Sequence, residues 1–561
     1  MIRRRILLVA LLAILFAIGW WAGRGRATTS LYSNLDLFVE VIHKVEENYV
    51  DPVEPKRLID GALKGMLKGL DPYSQYLDHK AYDALQDVTQ GKFSGIGVVV
   101  GVRDNYPTVI SPIEGSPAWE AGLRSGDAIV RVEGRSTQGF TIEDVAGLLR
   151  GPEGSPVRLS VRREGEGDER DFTLTRREIA TPSVPYAFME DDQVGYVRVA
   201  SFSEKTGAEL RAALARLRAA GARRLVLDMR RNPGGLLDQA VDVAEQFLPH
   251  GALIVSTRGR VRAQENKFFS SEPHPETRWP MVVLVDEGSA SAAEIVAGAL
   301  QDLDRALLMG RTTFGKGSVQ SVFPLRGREA ALKLTTALYY TPSGRSIHRA
   351  RRDSLERADD DDSDNDSTPE DHAAPADSAR QPAFHTRGGR IVYGGGGIRP
   401  DVVVSDDSLP PLTQRIEQRG LPMRFASRWG ASHPASRAAL RTLPGPVWEG
   451  FLAYIRAESV SVDRERLRSE RSTLERAVRR ELARRAAGDS AAARVALEGE
   501  PQVQRAIQLL ARSRAPHDVF EVAGLGAPQR GSDRGDPADA RRPHNPSDRS
   551  GADKRSRGST N

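Results

Sequence analysis

Val282-Val283-Leu284-Val285-Asp286-Glu287-Gly288-Ser289-Ala290-Ser291-Ala292-Ala293-Glu294-Ile295-Val296 runs from an unbroken apolar stretch through a turn of small residues into a segment whose apolar face continues at Leu300 and Leu303. The first part reads as a buried strand and the last as a helix. The same rhythm flanks it: Val194 to Val199 is a strand, Lys205 to Ala219 a helix, Arg224 to Asp228 a buried strand, and Ala306 to Met309 another strand beyond the central helix. Strand, helix, strand in this order predicts an α/β unit with parallel pairing.

A serine where such a helix begins has its hydroxyl near unpaired amides and the positive end of the helix dipole. Ser291 therefore reads as a nucleophile, or as an ordinary N-cap whose capping box is completed by Glu294. Farther on, Gly310-Arg311-Thr312-Thr313-Phe314-Gly315-Lys316-Gly317-Ser318-Val319-Gln320 sets one lysine between two glycines, close after a strand. Buried beside a serine, Lys316 would lose its proton readily and could take the hydroxyl proton. If a strand follows, Gln320 falls on the same side as Lys316 and its amide could orient the lysine. Most of a phosphate-binding pattern is present here too, but Gly317 replaces the residue that ligates magnesium, and a strand follows where that loop must open a helix. In a third stretch, Asp228-Met229-Arg230-Arg231-Asn232-Pro233-Gly234-Gly235, a strand enters a paired-glycine turn. Amides in such a turn can approach a developing oxyanion, although the same pair also serves as a plain turn before a helix.

The 561 residues exceed one compact core and call for several modules. The chain has no cysteine, which removes disulfides, thiolate nucleophiles and thiolate metal sites, and none of its ten histidines has metal-ligand spacing, so no metal or cofactor is expected. A net charge of +5 spread over 80 basic and 75 acidic residues does not imply nucleic acid. Arg3, Arg4 and Arg5 precede an apolar run from Ile6 to Ala22 ending in Trp20 and Trp21, and no small-x-small cleavage site follows. Residues 1–27 are therefore expected to be an uncleaved membrane anchor, with the remainder outside the cytoplasm, rather than a cleaved signal peptide. Two amphipathic helices are expected between Leu35 and Leu70, within a helical region at 31–88, broken at Asp51-Pro52 and suited either to clasping a second subunit or to packing on their own domain. Short strands and turn residues from Phe93 to Arg176 form a small β-rich module, assigned to 89–177. The core is expected over 178–348 and 394–410, a disordered acidic insertion over 349–393, a helical extension over 411–527 and a disordered tail over 528–561.

Taken together, Ser289-Ala290-Ser291-Ala292-Ala293-Glu294-Ile295, Thr313-Phe314-Gly315-Lys316-Gly317 and Arg231-Asn232-Pro233-Gly234-Gly235 resemble the C-terminal processing peptidases, also called tail-specific proteases. The resemblance implies a crotonase-like α/β core with Ser291 as nucleophile, Lys316 as general base, Gln320 supporting the lysine, and oxyanion donors at the amides of Ala292 and the Gly234-Gly235 turn. Phe93-Ser94-Gly95-Ile96-Gly97-Val98, Gly115-Ser116-Pro117-Ala118 and Ala121 to Asp127 resemble a PDZ domain. Gly95, Ile96, Gly97 and Val98 would then receive the terminal carboxylate of a protein tail added as a strand, with Ile96, Val98 and Leu148 either lining the last side chain's pocket or serving as core. The match also takes in Tyr339 to Arg345 and Gly397 to Asp401, and departs from the family at Arg311, where Glu is usual, at Ala293, where Ser is common, and at the acidic insertion. The partners implied are proteins with exposed C-terminal tails, and a second copy of the chain through its terminal helices. A tail-binding scaffold without catalysis is the rival class.

Overall fold

The computed structural model describes residues 32–164, 167–325, 329–349, 381–405, 409–433, 442–460 and 463–526. The expected anchor and the expected tail lie outside the described residues, and no helix among those described is long and apolar enough to cross a membrane.

At the centre is a six-stranded sheet in the order Tyr186–Met189, Val194–Arg198, Arg224–Asp228, Met281–Val285, Leu307–Gly310 and Val402–Val403. Only the first pair is antiparallel; the rest run parallel. Met281–Val285 shows why its sequence carries no polar residue. Successive side chains of a strand point to opposite faces, and this strand is covered on both. Met281, Val283 and Val285 pack with Leu210, Val243, Ile295 and Leu300 from the helices Thr206–Ala219, Leu237–Glu245 and Ala292–Asp302. Val282 and Leu284 pack with Val503, Leu509, Leu510 and Phe520 from the helices Pro501–Ala511 and Asp518–Val522. The second layer thus comes from the far C-terminal part of the described chain.

A second, antiparallel sheet stands beside the first. Ala331–Tyr340 pairs with Ser318–Pro324, Leu253–Gly259 and the short strand Gln75–Leu77, whose residues Gln75, Tyr76 and Leu77 lie opposite Lys333, Leu332 and Ala331. A segment following the N-terminal helices at 32–48 and Pro55–Lys68 therefore becomes an edge strand of the sheet that follows the lysine loop.

The β-rich module is an antiparallel sheet of Val98–Arg103, Tyr106–Pro112, Ala128–Val132, Pro156–Arg162 and Arg170–Thr175, with Arg135–Ser136 on its edge. Pro156–Arg162 alternates as its sequence predicts, burying Val157, Leu159 and Val161 against Ile129, Val145 and Leu149. The helix Ile142–Leu149 is opened by Thr141 and Asp144, each side chain bonding the other's amide at 3.2 and 3.0 Å. A ribbon of Lys92–Gly95 with Arg177–Ala180 joins the module to the core. Helices from Pro411 to Leu497 enclose their own apolar cluster around Phe425, Trp448, Phe451 and Leu474. They also reach the β-rich module, where Ser111 Oγ donates to Asp489 at 2.9 Å and Arg424 pairs with Glu164 at 3.2 Å.

One expectation needs correcting. Residues 350–380 of the acidic insertion lie outside the described residues, but its end is not disordered: Ala383–His385 and Ile391–Tyr393 form an antiparallel hairpin. Burial of Val392 and the pairing of Arg390 with Asp304 at 2.7 Å and Asp401 at 2.5 Å fasten it to the core. Those partners are distant in sequence, and composition alone does not show them.

Candidate active site

The loops that follow two neighbouring parallel strands meet at the carboxyl ends of those strands. After Met281–Val285, Asp286 Oδ1 accepts from the amides of Gly288 at 3.0 Å and Arg231 at 2.6 Å. Ser289 Oγ donates to Met229 O at 2.8 Å, and Ala290 N to Asn232 O at 2.9 Å. Asn232 in turn bonds Val199 O through its amide nitrogen and the Gly234 N–H through its oxygen, both at 2.9 Å. The serine loop and the glycine loop are therefore one hydrogen-bonded unit, held by the side chains of Asp286, Ser289 and Asn232.

Ser291 sits on this unit at φ +54° and ψ −114°, nearly buried, immediately before the helix Ala292–Asp302. A non-glycine residue in this region costs about 1–3 kcal/mol and persists only where the surroundings enforce it. Ser291 holds the N-cap position that the sequence offered, but its side chain makes no cap hydrogen bond, and Glu294 N donates instead to Ser291 O at 2.9 Å. Glu294 supplies half of the capping box, accepting from Ser291 N at 2.9 Å. The Ala292 N–H, at the first helical position, and the Gly235 N–H have no hydrogen-bond acceptor among the described residues. Gly234 offers no free amide, since its N–H is held by Asn232. At Gly235, φ is +146° and a Cβ would fall 2.0 Å from Phe202 O, so only glycine fits. Phe202 fixes this turn from both sides, donating its N–H to Gly234 O at 3.0 Å and accepting from Leu236 N at 2.9 Å.

The lysine loop is joined to the serine by one buried carboxylate. Glu294 accepts from Ser291 N and Lys316 N through one oxygen, at 2.9 and 2.8 Å, and from Gly315 N and Thr313 Oγ1 through the other, at 2.7 and 2.5 Å. Burial pushes this carboxyl above its ordinary value, against the four hydrogen bonds, which pull it down. Gly317 lies against the next segment so closely that a Cβ would meet His348 N at 2.5 Å. Burial also lowers the pKa of Lys316, helped by the charge of Lys333 and opposed by Glu294.

Ser291 and Lys316 are thus tied through their backbones, but no hydrogen bond joins Ser291 Oγ, Lys316 Nζ and Gln320 to one another. The Gln320 amide instead donates to Ser318 Oγ and O, at 2.8 and 3.3 Å. Lys316 and Gly317 precede the strand Ser318–Pro324, so strand alternation does not carry back to the lysine. The Lys316 ammonium lies 4.9 Å from the centre of the Tyr73 ring.

In the β-rich module, Ile96 is buried in the core with Val98 and Leu148 packed against that cluster, and Gly97 O accepts from Ser116 Oγ at 3.0 Å. Gly95 ends the connecting ribbon opposite Arg177. Among the described residues no cluster of acidic groups and histidines could hold a metal ion.

Sequence reasoning treated Glu294 only as a cap partner and missed Tyr73 and Lys333. The Asp-Pro-Tyr-Ser run at 71–74 carries a turn signal, but nothing local says which distant loop the turn reaches.

Residues 193–353 match Peptidase family S41, 108–163 match the PDZ domain, and 23–81 match the activating protease CtpB N-terminal domain. A carboxy-terminal-processing protease of Bartonella bacilliformis is 42% identical over 320 residues, covering 56% of this chain and 73% of that protein. The carboxy-terminal processing protease CtpA of Bacillus subtilis is 36% identical over 318 residues, covering 56% and 67%. Among solved structures, a photosystem II D1 C-terminal processing protease aligns over 67% of this chain and 94% of its own, with 27% identity and a TM-score of 0.36.

Proposed function

Because this chain belongs to the carboxy-terminal-processing proteases, serine endopeptidases of family S41 with a PDZ domain, we propose that it cleaves proteins near their C-termini through a Ser291/Lys316 dyad. The observation that carries the assignment is the strained Ser291, its hydroxyl uncommitted, flanked by the two unengaged amides of Ala292 and Gly235.

Neutral Lys316 takes the hydroxyl proton as Ser291 Oγ adds to the scissile carbonyl carbon. Negative charge gathers on the carbonyl oxygen between the Ala292 and Gly235 N–H groups; fixed donors of this kind are worth about 3–4 kcal/mol each. Gly234 shapes the turn and leaves the donation to its neighbour. Collapse of the tetrahedral adduct breaks the C–N bond, the amine departs with the proton held by Lys316, and an acyl ester remains on Ser291. Lys316, neutral again, removes a proton from water as the water oxygen attacks the ester carbonyl; the C–O bond to Ser291 then breaks, Lys316 returns that proton to Oγ, and the new C-terminus leaves as a carboxylic acid that ionises in solvent. In this scheme Gln320 orients Lys316 once its bonds to Ser318 are exchanged. No metal or cofactor takes part.

The PDZ module at 89–177 would take the substrate tail as an added strand, its carboxylate meeting the amides of Gly95, Ile96, Gly97 and Val98. The core at 178–348 and 394–410 is read as crotonase-like. The protein is further read as anchored in the cytoplasmic membrane by residues 1–27, acting on extracytoplasmic proteins, and as associating through its terminal helices. The apolar residues Leu37, Phe38 and Val41, exposed on the 32–48 helix, support that association.

The test compares hydrolysis of a denatured, tail-tagged protein by the full chain with that by Ser291→Ala and Lys316→Ala, each checked for folding by circular dichroism. Loss of cleavage in both folded variants is expected; cleavage by either one refutes the dyad.

A further inference from the structure

The Lys316 side chain has been placed by something other than the serine. Among the described residues its Nζ makes no hydrogen bond and no ion pair, and it lies 4.9 Å from the Tyr73 ring centre. Tyr73 is not a loose surface residue that happens to be near. Asp71 Oδ1 accepts from Tyr73 N at 2.8 Å and Ser74 N at 2.9 Å, while Asp71 Oδ2 accepts from Ser74 Oγ at 2.6 Å. Thr335 then fastens this turn to the second sheet, donating from Oγ1 to Asp71 and from N to Ser74 Oγ, both at 3.1 Å. The chain continues as the edge strand Gln75–Leu77. The ring is therefore presented to the lysine by a turn with its own anchors, and those anchors do not involve the ring.

We infer that Tyr73 is a positioning residue that seats the Lys316 ammonium in a resting place off Ser291, so that proton transfer begins only when Nζ leaves the ring for the hydroxyl. The inference rests on the reading of Lys316 as the base. An aromatic face attracts a cation and not a neutral amine, so the contact favours the form of Lys316 that cannot act. It opposes the burial and the nearby Lys333 charge that favour the neutral form. The other charged or titratable groups facing this pair are Glu294 from the serine helix, Asp71 from the turn itself, and Arg349 and His348 from the segment packed on Gly315 and Gly317. The N-terminal segment thus supplies a residue to a site otherwise built by the peptidase core, and it can set how readily the base is released.

The experiment reads the lysine directly. In a Ser291→Ala background, which needs no activity, full-length protein is pulse-labelled with acetic anhydride across a pH series, and acetylation of Lys316 is quantified by peptide mass spectrometry. Tyr73→Leu, and Tyr73→Gln as a second ring-free variant, are expected to lower the half-labelling pH by about 0.4–1.5 units. Tyr73→Phe keeps the ring and is expected to stay within about 0.2 units of the parent. With Ser291 restored, the acid limb of kcat/KM is expected to move by the same amount. The inference is overturned if the ring-free curves superimpose on the parent, or if Tyr73→Phe moves as far as they do. Failure of the dyad is separate: it would appear as cleavage by Lys316→Ala, whatever the labelling shows.

Discussion

Replacing Glu294 by Gln keeps the shape of the side chain and removes one acceptor oxygen, which makes it a sharp probe of the joint between serine and lysine. All four partners of the carboxylate are donors. In its best orientation the amide oxygen of Gln would keep Ser291 N and Lys316 N, and its NH2 would face Gly315 N and Thr313 Oγ1. The threonine can turn and accept. The Gly315 N–H cannot, and a buried unsatisfied donor costs about 1–3 kcal/mol. The remaining bonds lose their charge assistance, at about 1 kcal/mol each, and the relief of desolvating a neutral group returns part of that. The net expectation is about 2–4 kcal/mol lost from urea unfolding of the peptidase core. As Gly315 shifts to reach water it carries Lys316 with it, and a displacement of about 1 Å at a catalytic group costs about 100-fold in kcat/KM. Paired urea denaturation and peptide hydrolysis measure both. A Glu294→Gln protein within about 0.5 kcal/mol of wild-type stability and within twofold of its activity would refute the clamp.

Gly235→Ala forces a Cβ into Phe202 O and must open the turn, so kcat is expected to fall about 100- to 1000-fold with KM little changed; near-normal kcat would remove Gly235 from the oxyanion site. Asp228 is buried between Arg230 at 2.7 Å, Arg198 at 2.9 Å and the Tyr196 hydroxyl at 2.7 Å, so Asp228→Asn leaves two partly buried guanidinium groups facing a neutral amide and should cost about 3 kcal/mol in chemical denaturation. The pKa of Lys316 lies below the ordinary lysine value, so the neutral base accumulates as pH rises through that lowered value and is lost on the acid side. kcat/KM should fall accordingly at low pH, and a profile flat down to about pH 5 would count against the dyad.

Much of the catalytic sheet was legible because its signals are local. Five apolar residues from Met281 to Val285, followed by small residues and a helical period, leave little besides a buried strand, a turn and a helix. Ser291, Lys316 and the glycine pair stood out as candidates for the same reason, as each sits in a short run whose chemistry is unusual. What was hidden depends on tertiary partners. Glu294 looked like a capping residue because its bond to Ser291 is three residues long, whereas its bonds to Thr313, Gly315 and Lys316 need the next strand in place. The left-handed φ of Ser291 is imposed by the fused loops around Asp286 and Asn232, not by any preference of serine. The hairpin ending the acidic insertion escaped because Arg390, at its turn, is held by Asp304 and Asp401.

The covering of the parallel sheet by Pro501–Ala511 and Asp518–Val522 bears on when the molecule becomes complete. Strands laid down between residues 194 and 310 must wait for a layer about two to three hundred positions downstream before Val226, Val282, Leu284 and Met309 are shielded from water. Arg230, two residues beyond one of those strands and close to the glycine turn, also finds its outer partner there, pairing with Glu500 at 2.8 Å. Contacts so distant in sequence close late and slowly. A nascent chain that already carries Ser291 and Lys316 therefore still lacks one layer of its central sheet, and that layer is completed only when residues 501–522 have been made.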